Sequence, residues 1–331
     1  MSDHLKWKKG LLSSSLPLEW EISRQLVSEG FVVHSDYKYS QSHSAPVRSA
    51  PVDLCAKAYM PFRPASQPLS QSSLTAQLEL LIECRHRNPD KIWLFLPDPN
   101  LPEVSPARVG NTLRVVDKFS SYVIESEAPA AFDMQLPLCQ KGLEIDSRTG
   151  DIDESVLRNA LLQLQYALPR LLTENVLFYL VSPSPENIPF LFCPVILTNT
   201  QLFVLNRDTD SKQVEACSEI RDIAAPAPYL TLYLNCSADF EAQCMRETLR
   251  LKPLQRNERA MVIERRRARH YQNQSLLPFT IIDALTTAEH YHTQAFFTQF
   301  IVCSNSHFAE LLEHIRNTAT SALSSRLLIE S

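Results

Sequence analysis

Residues 78–86 read Leu-Glu-Leu-Leu-Ile-Glu-Cys-Arg-His. The alternation is that of a β-strand: Leu78, Leu80, Ile82 and Cys84 share one face, and Glu79, Leu81, Glu83 and Arg85 share the other. A strand this apolar belongs inside a sheet, yet it carries Glu83 and Arg85 on one face. A buried charge costs several kcal/mol unless it has a partner, a metal or a chemical task. Any fold for this chain must therefore pack a sheet around acids and still account for them.

The flanking sequence supplies neighbours for that strand. Pro17 followed by an apolar stripe at Leu18, Ile22, Leu26 and Val27 predicts a helix over 18–29, stopped at Gly30. Residues 31–39 and 52–59 alternate as strands, the second carrying Asp53. Polar, proline-rich sequence over 60–77 separates it from the acidic strand. Asn88-Pro89-Asp90 turns the chain into a fourth strand over 91–97. Residues 111–125 read as a strand or two, and 128–150 shows no strong period. A helix is expected over 151–172, capped by Asp151 or Asp153, and Pro169 should kink or end it. Strand-like runs follow at 178–181, 190–197, 201–206 and 229–234. Thr198-Asn199-Thr200 makes a hairpin or a corner. A strand at 281–285 and an amphipathic helix over 304–316 complete the pattern.

Asp53 in Pro51-Val52-Asp53-Leu54-Cys55-Ala56 and Glu83-Cys84-Arg85 on the next strand resemble the signature of the PD-(D/E)XK nuclease superfamily. In that family an Asp on one strand precedes Glu-x-Lys on the next, often after a helix carrying a further Glu. The resemblance implies an α/β fold: a restriction-endonuclease-like core with a central mixed β-sheet flanked by helices. It implies Mg²⁺, or Mn²⁺, held by Asp53 and Glu83, since paired carboxylates offer hard oxygens and leave room for water and phosphate. Glu21 is the helix acid expected to assist. Arg85 stands where the family has lysine; it cannot give up its proton as lysine can, but it forks onto phosphate oxygens. Lys57, four residues after Asp53 on the same strand face, is a candidate to replace the lysine, with Lys91 as another.

The implied activity is metal-dependent DNA endonuclease or nuclease-like subunit, in prokaryotic defence against foreign DNA. The alternative is a catalytically inactive nuclease fold that binds nucleic acid or assembles with other proteins. DNA is the expected partner, with a homodimer or a multi-protein complex open.

Composition narrows the field further. Five glycines against 22 prolines, with no glycine-rich loop, argue against a phosphate cradle or a dinucleotide fingerprint. The formal net charge is −5, so nucleic acid would have to meet a local basic face. One stretch supplies it: residues 246–269 hold nine basic and three acidic side chains. Within it, Arg256, Arg259, Arg265, Arg266, Arg267 and Arg269 are the candidate phosphate contacts. The eight cysteines form no Cys-x-x-Cys pair and read as buried thiols of a cytoplasmic protein. No signal peptide is expected, and no apolar run reaches the ~20 residues that span a bilayer. The expected organisation is one α/β body: a core over 15–235 with insertions at 60–77 and 98–150, and a basic, helical part over 236–331 packed on it.

Overall fold

The structure, a computed structural model, describes residues 6–39, 51–60, 76–100, 104–106, 114–116, 135–181, 190–250 and 297–327. Its helices are α1 (Lys6–Ser13), α2 (Leu16–Ser28), α3 (Ser155–Val181), α4 (Ser211–Ala216), α5 (Ala238–Leu249) and α6 (Phe308–Leu327). Strands β1 (Val32–Tyr37), β2 (Val52–Met60), β3 (Ala76–Arg85) and β4 (Lys91–Pro97) come first. They are followed by β5 (Val104–Pro106), β6 (Arg114–Val116), β7 (Gln135–Asp146) and β8 (Ile152–Asp153). The later strands are β9 (Phe190–Thr198), β10 (Gln201–Leu205), β11 (Ala224–Pro226), β12 (Tyr229–Tyr233) and β13 (Gln299–Ser304). The fold is α/β, with one large mixed sheet flanked by helices.

Among the described residues the sheet runs β1-β2-β3-β9-β13-β12-β7-β4-β10-β11, with β5 and β8 on β7 and β6 on β9. The strands β1, β2 and β3 are antiparallel, and β9 joins β3 in parallel. Parallel neighbours need a long crossover, and α3 lies within the chain that connects β3 to β9. One face of the sheet packs Leu157, Leu164, Leu168 and Leu172 of α3 and Phe240 of α5 over Cys55, Leu81, Phe192 and Ile196. The other face packs Leu18, Ile22 and Leu26 of α2 and Leu311, Leu312 and Ile315 of α6 over Leu54, Leu80, Ile82 and Val195. Burying each such side chain stabilises the fold by about 1.5–3 kcal/mol.

Several expectations need correction. The α3 helix does not stop at Pro169; it continues to Val181 and takes in the run at 178–181 expected to be a strand. Beyond the proline, Leu171, Leu172 and Thr173 are buried, and the Thr173 hydroxyl donates to the Pro169 carbonyl at 2.8 Å. Tertiary burial thus outweighs the one backbone hydrogen bond that proline removes.

The β7 strand, twelve residues long, lies in sequence without an obvious period. Alternation fails there because the ladder to β4 slips between Cys139 and Lys141, skipping Gln140, because Glu144 and Asp146 take buried positions, and because mid-strand stands Gly142. A Cβ at that position would meet the Phe95 ring at 2.6 Å and the Leu157 side chain closer still, so close packing takes the place of a side chain. The region 98–150 is therefore not simply an insertion, since β7 is an interior strand. Nor does the C-terminal part merely pack on a finished core. Strand β13 sits between β9 and β12, with Phe300, Ile301, Val302 and Cys303 all buried, a continuous apolar run of the kind that marks a strand covered on both faces. Residues 198–200 form a corner, because β9 pairs with β3 and β13 while β10 pairs with β4 and β11. The expected strand at 281–285 lies outside the described residues.

Candidate active site

Parity along two antiparallel strands sets the site. From Leu54 on in β2, and throughout β3, odd-numbered side chains face α3, as Cys55 and Leu81 do, and even-numbered ones face α2 and α6; Val52, at the start of β2, breaks this parity and packs with α3. Lys57, Glu79, Glu83 and Arg85 therefore share one face beneath α3, and Asp53 meets them at the end of the ladder through hydrogen bonds. The β2–β3 ladder pairs Leu54 with Ile82. One step further the two acids take over the backbone's hydrogen bonding. The Cys84 amide donates to Asp53 Oδ2 at 2.7 Å, and the Asp53 amide makes a longer bond, 3.4 Å, to Glu83 Oε2. Two carboxylates from neighbouring strands are thus laced into the end of the ladder.

Arg85 completes the cluster. Its guanidinium lies 2.5 Å from Glu83 Oε1 and also donates to Gln163 Oε1 of α3. Glu83 is fully buried, and its Oε1 has that ion pair but no hydrogen bond of good geometry. Burial pushes the Glu83 carboxyl up to about 8, against the pull of Arg85 and with the push of Asp53. Burial likewise raises Asp53, while the Cys84 amide and Arg85 pull it down. The two acids titrate as a pair.

The helix contributes Glu19, not Glu21. Residues two apart on an α-helix lie about 200° apart around its axis. Glu21 is exposed on the flank away from the site, whereas Glu19 is half-buried and in the field of Asp53, Asp36 and Arg85. Burial and then Asp53 and Asp36 raise the Glu19 carboxyl. Placing the helix correctly but its phase two residues off accounts for the miss. The helix is positioned at its start by the Ser15 hydroxyl, which accepts the His86 amide at 3.2 Å just past Arg85.

Asp36 was not foreseen either. It has φ 56°, a left-handed conformation that Asp tolerates better than most residues. It drops out of a register that pairs its neighbours, Ser35 with Leu54 and Tyr37 with Val52. Buried Tyr39, after the same strand, senses Glu83: burial and then the acid raise its hydroxyl.

Lys57 stands apart from these groups. Its ammonium pairs with Glu79 Oε1 at 2.9 Å, and four residues of strand put it roughly 13 Å along the sheet from Asp53. Glu79 also accepts from Gln77 and, at 2.9 Å, from Asn175 of α3. The expectation that Lys57 replaces the motif lysine is corrected accordingly: Glu79 holds it elsewhere. Lys91 is engaged with Asp146 at 3.1 Å and belongs to the β4–β7 pair. Arg256, Arg259, Arg265, Arg266, Arg267 and Arg269 lie outside the described residues.

Among the described residues, no group of three or more His, Cys, Asp or Glu stands close enough to hold a metal ion. Two hard-oxygen carboxylates do converge, one with a buried oxygen lacking a hydrogen bond. Such a donor set fits Mg²⁺, which keeps several waters and is commonly bound by one or two carboxylates together with substrate phosphate. It does not make a preformed cage. No helix among the described residues is long and apolar enough to cross a membrane. Comparison with protein-family models, curated proteins and solved structures gives no match.

Proposed function

We propose that this protein is a Mg²⁺-dependent DNA endonuclease with a restriction-endonuclease-like core, acting in prokaryotic defence. One observation carries the reading: Asp53 and Glu83 converge from adjacent strands at one end of their ladder, with Arg85 against Glu83 and Glu19 nearby. The order of elements supports it. A helix, three antiparallel strands with acids on the second and third, a crossover helix and a strand beside the third match the resemblance drawn from sequence. The defence role and the choice of DNA rest on that resemblance alone.

Electrostatics favours a cation. Among the described residues, Glu19, Asp36, Asp53 and, once it has lost its proton, Glu83 face the Arg85 guanidinium at this end of the sheet, a field that repels a phosphate backbone. Asp53 and Glu83 would hold Mg²⁺; when bound it supplies charge for the phosphate oxygens and lowers the pKa of a bound water. Arg85 would offer its guanidinium to a non-bridging phosphate oxygen; its Nη2 lies between Glu83 and Gln163, and its Nη1 donates to the Cys84 carbonyl at 3.4 Å. Glu19 would orient water.

A second reading keeps the fold without the chemistry. Arg85 in the lysine position and its close pair with Glu83 favour it, because the guanidinium already compensates the acid. The protein would then be a nucleic-acid-binding or assembly subunit. Incubation with plasmid and Mg²⁺ or Mn²⁺ separates the two. Cleavage by the parent, lost by on the order of a thousandfold in Asp53→Ala and Glu83→Ala while both stay folded, fits the enzyme. Cleavage only by Arg85→Lys identifies the silent form. No cleavage by either removes the nuclease reading.

A further inference from the structure

Six of the eleven exposed large apolar side chains among the described residues belong to α1 and α2: Trp7, Leu11, Leu12, Leu16, Trp20 and Val27. Trp7 is 67% exposed and Trp20 66%. Helix α1 buries none of its eight residues, and a helix of that length holds in water only against something it can pack on. Trp7 and Leu11 lie one turn apart, about 40° round α1, with Lys8 on their flank. Helix α2 repeats the pattern. Leu16, Trp20, Arg24 and Val27 fall within about 80° of one another, opposite the stripe of Leu18, Ile22 and Leu26 that packs on the sheet. Apolar side chains gathered in this way, with charge among them, mark a contact with a partner.

The charge of this face is positive. Lys8, Lys9 and Arg24 are exposed and form no ion pair among the described residues. The acids nearby are mostly engaged elsewhere: Glu19 faces Asp53, Asp36 and Arg85, and Glu29 is held by Arg316 at 2.6 Å. Glu21 remains exposed against the three cations. Like charge repels a second copy of the same face. A phosphate backbone answers the cations, but its bases stack on aromatic rings and offer the leucines and the valine nothing to enter. The boundary of an anionic bilayer takes all three kinds of group. Leucine and valine enter the acyl margin, indole rings settle at headgroup level, and lysine stems reach out to anionic headgroups. We propose that α1 and the outer face of α2 dock this protein on an anionic phospholipid surface.

The two helices lie in the plane of that surface, and none among the described residues is long and apolar enough to cross it. Glu19 sits about 100° round α2 from Trp20, which leaves the candidate site on the flank of the contact. The docking does not depend on the nuclease reading.

Flotation of the full chain with vesicles tests it. The chain should float with vesicles of phosphatidylcholine and phosphatidylglycerol mixed at about two to one, stay behind with phosphatidylcholine alone, and be released as salt rises. Trp93 is buried, so a blue shift of tryptophan emission on adding anionic vesicles reports Trp7 and Trp20. Trp20→Ser should weaken association by about tenfold, and Lys8→Gln with Lys9→Gln by about thirtyfold. Both variants keep the parent's melting curve, because none of these side chains is buried in the protein. A parent that ignores anionic vesicles overturns the proposal, and so does one that binds neutral vesicles equally well. Association that survives both sets of substitutions overturns it too, and assigns the lipid contact to the basic stretch over 246–269. A chain that ignores vesicles but has its tryptophans quenched by a single-stranded oligonucleotide gives the face to nucleic acid instead. None of these readings involves cleavage, so failure of the docking and failure of the nuclease reading are separate outcomes.

Discussion

Two acids on one face of β3, four residues apart, are buried to the same depth and treated in opposite ways. Glu79 is 1% exposed and accepts from Lys57, Gln77 and Asn175. Glu83 is equally buried, but its neighbours are another carboxylate, one long amide bond and an arginine that lacks hydrogen-bond geometry to Oε1. The first is a finished ion pair between sheet and helix. The second shares one guanidinium with a neighbouring carboxylate. Burial of an acid is therefore not what marks a site on this sheet; a like charge beside it and an incompletely satisfied oxygen are.

The sharpest way to break this comparison is to remove each acid in turn and measure stability. Glu79→Ala strands Lys57 and leaves Gln77 and Asn175 without their shared acceptor. Urea unfolding should show a loss of about 3 kcal/mol. Glu83→Gln keeps the shape, removes a charge facing Asp53 at the cost of the Arg85 ion pair, and should destabilise far less than Glu79→Ala at pH 8.5. Equal destabilisation by the two substitutions would show that both acids are structural.

A smaller effect lies in the pH dependence. The Glu83 carboxyl is raised from the ordinary glutamate range to about 8. Between those values the folded chain holds a proton that the unfolded chain has released. Stability from this group is thus fully present below the ordinary glutamate value and declines as pH rises through about 8. The unfolding midpoint should fall from pH 5 to pH 8.5 in the parent, with a shallower fall in Glu83→Gln. Any cation held by the ionised pair has the opposite preference: binding should strengthen over the same range. Calorimetric titration of Mg²⁺ at both pH values would read that sign without reference to cleavage.

What could be read from sequence divides along the same line. Period-two alternation placed β2 and β3 and put Lys57, Glu83 and Arg85 on one face, because strand parity needs only local sequence. It could not tell which cation serves which acid, since that depends on register. The pairing of Lys57 with Glu79 follows from a ladder that matches Ala58 to Leu78, set across a long polar segment. Helix α3 was visible but not its length, because burial of Leu171 and Leu172 is a tertiary fact that overrides a proline. Strand β7 was hidden because its ladder slips at Gln140, Glu144 and Asp146 hold buried positions, and Gly142 leaves space for Phe95 and Leu157 instead of presenting a side chain. Asp36 gave no sequence signal, since its role comes from a backbone angle opposite Asp53.

Helix phase yields the finest test of the comparison. Glu19 and Glu21 are two residues apart in the same helix, and only Glu19 is electrostatically linked to Glu83. Glu19→Gln removes a negative neighbour and should lower the Glu83 titration midpoint by about a few tenths of a unit, the size of one partly screened charge pair. A Gln at position 21 should leave the midpoint in place, since that side chain points to solvent on the far flank of α2. Carboxyl chemical shifts followed by NMR from pH 5 to 9 distinguish them. Equal shifts would mean that the coupling is a uniform effect of net charge and that α2 does not aim a third acid at the pair. A shift from Glu19 alone ties the helix to the strand-end site.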